Sequence, residues 1–161
     1  MIRLRPLVAE DMVIIEGWPS YQPDFDDLDY ALRKDGWLEE FCDRPDIWRF
    51  AAERSGELVA FTILATTAPG EAEFRIALRS DKTGQGLGAI IAASTLERGF
   101  AEIGLARIHL VVRKNNPRAI RLYQRLGFTL RGECCKVVNW KLAHFFIMDL
   151  QRKDYLVRQR P

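Results

Sequence analysis

Long hydrophobic runs are missing from this 161-residue chain, and cysteine, histidine and any excess of one charge are all scarce. No uncharged apolar stretch approaches the roughly 20 residues a helix needs to cross a bilayer, so no membrane span is expected. The start, Met1-Ile2-Arg3-Leu4-Arg5-Pro6, lacks the apolar centre of a secretory leader, and the simplest placement is cytoplasmic. Three cysteines, Cys42, Cys134 and Cys135, do not make a disulfide framework. As neighbours in a strand, Cys134 and Cys135 would face opposite sides, which argues against a shared metal. His109 and His144 lack ligand spacing to each other or to a cysteine. Either could serve as a lone base, but each reads first as a histidine on a sheet surface, and no metal is expected. A net charge of +2, from 24 basic and 22 interspersed acidic residues, provides no concentrated basic face for nucleic acid.

What is present suits one soluble α+β domain. Residues 2–7 alternate apolar and basic side chains like a half-buried strand, and 9–18 then read as a helix. Residues 19–29 are polar and turn-rich, and 30–41 read as a second helix. Residues 47–53 and 58–67 are strand patterns joined by Arg54-Ser55-Gly56-Glu57, the signature of an antiparallel hairpin. A third strand over 71–79 leads into Thr83-Gly84-Gln85-Gly86-Leu87-Gly88. A long helix follows, with Ala89, Ala92, Ala93, Leu96, Phe100 and Ile103 as its apolar face. Residues 107–113 form a strand with Ile108, Leu110 and Val112 on one side and His109 and Val111 on the other. Strands near 129–133 and 144–150 complete a domain over 1–150. The basic segment 151–161 reads as a solvated tail.

The most informative stretch is Asn116-Pro117-Arg118-Ala119-Ile120-Arg121-Leu122-Tyr123-Gln124-Arg125-Leu126-Gly127-Phe128. Asn116 suits an N-cap and Pro117 the first helical position, where its missing N–H would be unpaired anyway. Ala119, Leu122, Tyr123 and Leu126 share one face, and Gly127 suits the left-handed residue that ends a helix. Periodicity alone places Tyr123 in the core.

The glycine turn, set between a strand and a helix, is an anion site by construction. Backbone N–H groups converge there, the helix dipole favours negative charge, and glycine lets a phosphate approach. Gly88-Ala89-Ile90 excludes a Walker A loop, which needs Gly-Lys-Ser/Thr. Gly84-x-Gly86-x-x-Ala89 keeps a dinucleotide fingerprint open. However, the preceding meander is antiparallel and the following strand ends in Arg113, not in an acidic residue.

Taken together, the two motifs resemble those of the GNAT family of acetyl-CoA-dependent N-acetyltransferases. That family's pyrophosphate loop, Arg/Gln-x-x-Gly-x-Gly/Ala, is matched by 83–88 except at Thr83. Its signature Asn-x-x-Ala-x-x-x-Tyr-x-x-x-Gly-Phe is matched in full by Asn116, Ala119, Tyr123, Gly127 and Phe128. Ala72-Glu73-Phe74-Arg75-Ile76 and Gly132-Glu133 resemble the subgroup of spermidine and ribosomal-protein N-terminal acetyltransferases. The hairpin tip departs from that subgroup, because Asn139 is followed by Trp140 and not by glycine.

The resemblance implies a mixed, mostly antiparallel twisted sheet with helices on both faces and a splayed central strand pair. It implies acetyl-CoA held by Thr83, Gly84, Gln85, Gly86, Leu87, Gly88, Ala89, Asn116 and Tyr123, with backbone groups of Ile76, Ala77 and Leu78 serving the acetyl carbonyl. Tyr123 takes the role of general acid to the leaving thiolate, and Glu73 stands where many members carry their base. Exposed strand glutamate is the alternative for Glu73. Asp24, Asp26 and Asp27 fall in a region that borders the acceptor in this family, and could draw a cationic amine or be solvated surface. The implied activity is direct acetyl transfer to a small primary amine such as a polyamine, amino sugar or aminoglycoside. A protein N-terminus or lysine, or a silent acyl-CoA-binding domain, are the alternatives. The resemblance admits a homodimer.

Overall fold

Alternation over the first residues becomes β1 (Ile2–Pro6), which pairs antiparallel with β2 (Ile47–Arg54) in a computed structural model. The structure describes residues 1–21, 31–33, 36–40, 44–138 and 140–159. Seven strands form a mixed sheet in the order β1-β2-β3-β4-β5-β7-β6. The chain divides into two compact units, Met1–Ala65 with Arg75–Thr95, and Thr66–Phe74 with Leu96–Pro161.

In the first unit, α1 (Ala9–Glu16) and α2 (Trp37–Glu40) precede β2, and β3 (Glu57–Ala68) returns along it. The hairpin turn has Ser55 and Gly56 at φ 53° and 79°. Positive φ at both central residues is the turn whose twist matches that of paired strands, as the short glycine loop predicts. Phe61, Ile63 and Ala65 of β3 join Leu7, Ile15, Trp18, Leu32 and Leu38 in one apolar cluster. On the alternate face of β3, Thr62 shares a 2.9 Å hydrogen bond with Thr95 of α3 (Leu87–Glu97), so helices flank these strands on both sides. At the start of α1, Asp11 accepts the N–H of Val8 and both ends of the Arg5 guanidinium, at 2.7 to 2.8 Å.

The second helix departs from expectation. A helix over 30–41 was indicated, yet among the described residues only Ala31–Leu32 turn and Trp37–Glu40 are helical, with bends at Arg33 and Gly36. Glycine costs about 1 kcal/mol inside a helix, and burying Leu32 and Leu38 separately satisfies the pattern without a continuous helix. The long helix also differs from its indicated face. Ala93 is exposed, while Ile91, Thr95 and Gly99 are buried beside Ala92, Leu96 and Phe100. Its last turns, Arg98–Ile103, widen to π geometry, with Gly104 N–H reaching the Gly99 carbonyl at 3.0 Å.

In the second unit, β5 (Arg107–Arg113) runs parallel to the start of β4 (Glu71–Leu78), a pairing that the helical crossover makes possible. The recorded ladder joins only Glu71, Ala72 and Glu73 to Arg107, Ile108 and His109. After α4 (Pro117–Leu126), the hairpin of β6 (Thr129–Val138) and β7 (Lys141–Gln151) sets β7 between β5 and β6. Both hairpin strands extend beyond the indicated 129–133 and 144–150. Trp140 at the tip adopts φ 68°, in the left-handed region that favours glycine. Asp149 of β7, buried, accepts Nε of Arg107 and Nε of Arg131, each at 2.8 Å.

Residues 152–158 are exposed apart from half-buried Tyr155, yet helical. They form α5 (Arg152–Arg158), whose Tyr155 stacks on Phe100 with ring centroids 4.7 Å apart. Arg152 Nε donates to the Phe100 carbonyl at 3.1 Å, and Arg158 donates to the carbonyl of Arg125. One aromatic contact, two side-chain bonds to backbone carbonyls and the bond from the Arg152 N–H to the Ala106 carbonyl hold this basic segment.

Candidate active site

The glycine turn lies in the first unit. A 3₁₀ turn over Ser80–Lys82 delivers the chain to Thr83, and Gly84 and Gly86 take φ 77° and 80° before α3 begins at Leu87. Side chains rarely adopt these angles, so both glycines are required by conformation. A Cβ on Gly86 would meet nothing within 4 Å, so the loop faces open space there, as a site for a diphosphate must. Arg79 braces the turn, donating to both carboxylate oxygens of Asp81 and pairing with Glu57. Thr83 Oγ1 donates to the Ser80 carbonyl at 3.0 Å, and Gln85 Nε2 to the Asp81 carbonyl at 3.1 Å. Thr83 thus stabilises the loop from within and projects no long side chain toward a ligand. Just upstream, Ala77 is buried, Ile76 and Leu78 are half-buried, and the Leu78 carbonyl accepts the Tyr21 hydroxyl at 2.7 Å.

The second unit holds α4, and the signature residues there have separate physical jobs. Asn116 Oδ1 accepts the N–H of Ala119 at 3.2 Å, an N-cap contributing about 1 kcal/mol. At the other end Gly127 adopts φ 107°. Its N–H reaches the Gln124 carbonyl at 3.1 Å, and the N–H of Phe128 reaches the Tyr123 carbonyl at 3.0 Å. This pair of bonds is the Schellman cap, which brings the residue after the glycine onto the residue three before the cap. Here those residues are Phe128 and Tyr123, with rings 5.8 Å apart at 65°. Phe74 of β4 meets the same tyrosine edge-on, at 6.3 Å and 85°. Two aromatic contacts and one cap therefore fix the phenol of Tyr123, which is only 7% exposed. Burial pushes its pKa above the ordinary tyrosine value, so it is protonated at neutral pH.

Glu73 lies on the opposite face of β4 from Phe74, half-buried, and in register with His109. His109 Nε2 and Thr67 Oγ1 are 2.8 Å apart. Burial and the Arg107 cation lower the pKa of His109, against an upward pull from Glu73, Glu71 and Asp149, so the imidazole is neutral at pH 7. Alternation along β4 puts Glu73, Arg75 and Ala77 on one face, and Arg75 covers the Trp37 ring at 5.2 Å. Asp24, Asp26 and Asp27 lie outside the described residues.

Three arrangements escaped the sequence reading. Sequence spacing did not bring His109 to Glu73 and Thr67, because the strand register that does so is a tertiary fact. Cys135 and His144, judged unrelated, are cross-strand partners with Sγ and Nδ1 3.2 Å apart. The Gly127-Phe128 pair was legible as a helix stop, but not as the clamp on Tyr123. Among the described residues no group of three or more histidine, cysteine or acidic side chains is arranged to hold a metal ion, and no helix is long and apolar enough to cross a membrane.

Comparison with known proteins follows this geometry. Residues 11–128 match the acetyltransferase (GNAT) family. The chain is similar to the spermidine N(1)-acetyltransferase of Escherichia coli (strain K12), 29% identical over 177 residues that cover 99% of this chain and 90% of that protein. A shorter likeness, 33% over 79 residues, covers 49% of this chain and 53% of the [ribosomal protein bS18]-alanine N-acetyltransferase of the same organism. The structure of spermidine N-acetyltransferase from Vibrio cholerae in complex with CoA and spermine superposes with a TM-score of 0.80. That likeness has 22% identity and covers 96% of this chain and 98% of that one, and it speaks to the fold.

Proposed function

Because the chain belongs to the acetyltransferase (GNAT) family, as an acetyl-CoA-dependent N-acetyltransferase, we propose that it acetylates a primary amine of a small polycationic acceptor, a polyamine. The observation that carries the acceptor class is the full-length likeness to a spermidine acetyltransferase. Acetyl-CoA supplies the acetyl group and a thiolate leaving group. The N–H groups of Thr83 to Ala89 take its diphosphate, with Asn116 as a further polar contact to the pantetheine arm. Backbone N–H groups of Ile76, Ala77 and Leu78 serve the acetyl carbonyl as negative charge develops on its oxygen, where each preorganised donor contributes about 3 kcal/mol.

The acceptor reaches the enzyme as an ammonium ion, so it must lose a proton before its nitrogen lone pair can attack. Glu73 accepts that proton. As the new C–N bond forms the C–S bond breaks: Tyr123 donates its proton to the departing sulfur, the nitrogen gives up its second proton to restore the phenol, and Glu73 returns its own to solvent, leaving free thiol and N-acetylated amine. The phenol holds its proton at neutral pH and so has it to give; because an ordinary thiol pKa of about 8.5 lies below the phenol's own, the transfer is uphill taken alone and is drawn forward by return of a proton from the acylated nitrogen. Negative charge in the run Asp24, Asp26 and Asp27 supports a polycationic acceptor by long-range attraction.

An acceptor panel tests this reading. Thiol release is measured with spermidine, spermine, aminoglycosides, amino sugars and peptide N-termini. Polyamines are expected to give the highest kcat/KM. A peptide bearing an N-terminal alanine that outruns them would support the second reading, favoured by the likeness to the ribosomal-protein enzyme, and sink the first.

Thr83 carries a separate prediction. Replacing it with arginine restores a long cation at the start of the loop, where the family carries arginine or glutamine. Acetyl-CoA is expected to bind several-fold more tightly, on the order of 1 kcal/mol for one charge-assisted hydrogen bond to phosphate. Isothermal titration with CoA reads this directly. Unchanged affinity would mean that the backbone cradle alone sets binding.

A further inference from the structure

Five strands contribute to one polar cluster in the second unit. In the ladder of β4 with β5, Ala72 and Ile108 turn to the buried side, and Glu71 and Glu73 share the other face with Arg107 and His109. Neighbouring strands are about 4.8 Å apart, so the in-register side chains of Glu73 and His109 lie side by side. From β3, Thr67 anchors the imidazole through Nε2 at 2.8 Å. From β7, Asp149 is the register partner of His109, and it is held by Arg107 and by Arg131 of β6. Arg107 also donates to Glu71 at 3.2 Å, and the other cation on the Glu73 face of β4, Arg75, pairs with Glu40 at 3.1 Å and covers the Trp37 ring.

We propose that His109 is the positioning residue of the Glu73 carboxylate, a neutral imidazole that orients the base of the acetyl transfer. The inference rests on the reading of Glu73 as that base. A carboxylate beside the ring favours the tautomer with hydrogen on Nδ1, directed at Glu73, and the Thr67 hydroxyl then donates to Nε2. One ring nitrogen ties the histidine to β3, which leaves the other for the carboxylate of the in-register Glu73. Neutrality matters to the chemistry. A permanent cation beside Glu73 would depress its basicity, whereas a neutral donor orients it and leaves it able to take a proton from the ammonium. The same arrangement makes activity sensitive to acid. Below the lowered pKa of His109, an imidazolium faces Glu73, weakens it as a base, and the rate falls.

The experiment combines kinetics with a titration. Rates are measured across pH for wild type, His109→Ala, His109→Asn, Glu73→Gln and the double variant Glu73→Gln/His109→Ala, and His109 is titrated by NMR in wild type and Glu73→Gln. His109→Ala is expected to lower kcat about tenfold with KM for acetyl-CoA unchanged, the smaller end of acid–base effects because the base itself remains. His109→Asn, which keeps a donor near the Nδ1 position but cannot titrate, should recover most of the rate and lose the ionisation of His109 from the acid limb. The double variant should be no slower than Glu73→Gln, as expected of residues that act as a unit. In Glu73→Gln the NMR titration of His109 should move lower still, since a carboxylate that raises it has gone. A slow Glu73→Gln beside a His109→Ala with wild-type rate and pH profile overturns this inference alone. A Glu73→Gln as fast as wild type overturns the reading of Glu73 as base, and the inference with it.

Discussion

Tyr123→Phe is expected to lower kcat by about 100- to 1,000-fold, the range for losing one positioned acid, while KM for acetyl-CoA stays close to the wild-type value. The substitution removes one oxygen and leaves the ring. Contacts with Phe74 and Phe128, and the Schellman cap that presents the ring, all survive it. Melting temperature should therefore be nearly unchanged, which separates lost chemistry from lost structure. The upward-shifted pKa of the phenol adds a second expectation. Tyr123 keeps its proton throughout the working range, so its ionisation should add no alkaline limb to the rate profile below pH of about 10. Steady-state rates of thiol release over pH 6 to 10, in both proteins, check this. A phenylalanine variant with undiminished kcat would remove Tyr123 from proton donation.

Asp149→Ala should produce the largest loss of stability from a single charged side chain. Asp149 is 4% exposed and holds two guanidinium groups, on β5 and β6; its removal leaves Arg107 with Glu71 and takes a carboxylate from Arg131. Breaking a buried pair costs about 3–5 kcal/mol, but Arg131 is half in water and recovers part of its solvation, which brings the expectation to about 2–3 kcal/mol. For a chain of this size that is a fall of roughly 4–12 °C in melting temperature. Burial alone would raise the carboxyl pKa of Asp149, but Arg131 and Arg107 outweigh burial and hold it below the ordinary value. A group lowered in the folded state stabilises fully above its unfolded pKa, about 3.9, and loses that contribution as pH falls through the folded value. The gap between wild type and Asp149→Ala should therefore be constant near neutrality and close below pH of about 4. Urea unfolding at pH 7 and pH 3 measures both ends; an equal gap at the two would sink the assignment.

Local features of the chain were legible where a short run of residues carries its own constraint. Asn116 with Pro117 and Gly127 with Phe128 mark both ends of α4, and the structure supplies the cap bonds they announce. Ser55-Gly56 makes the predicted hairpin turn, and β5 shows the predicted alternation, Ile108, Leu110 and Val112 buried. Misreadings arose where helical periodicity was asked to act alone. Residues 30–41 have apolar positions at helical spacing, yet Gly36 and a bend at Arg33 separate the two described helical pieces. In the long helix the face that meets the sheet includes Thr95 and Gly99, residues no hydrophobic pattern would choose. Thr95 is accommodated because Thr62 and the Ile91 carbonyl give its hydroxyl partners.

The sequence by itself determined the kind of chemistry. A glycine turn at a helix start and a doubly capped helix carrying Tyr123 are local patterns, readable because caps and positive-φ turns depend on residues a few positions apart. Only the tertiary structure decided what surrounds Tyr123 and Glu73. Phe74 reaches Tyr123 from 49 positions away in the chain, and Thr67 reaches His109 from 42. Strand register made those pairs, as it made the Asp149 network and set Glu73 against His109. Register is fixed by packing across the whole sheet, where a slip of one residue would turn every side chain to the opposite face.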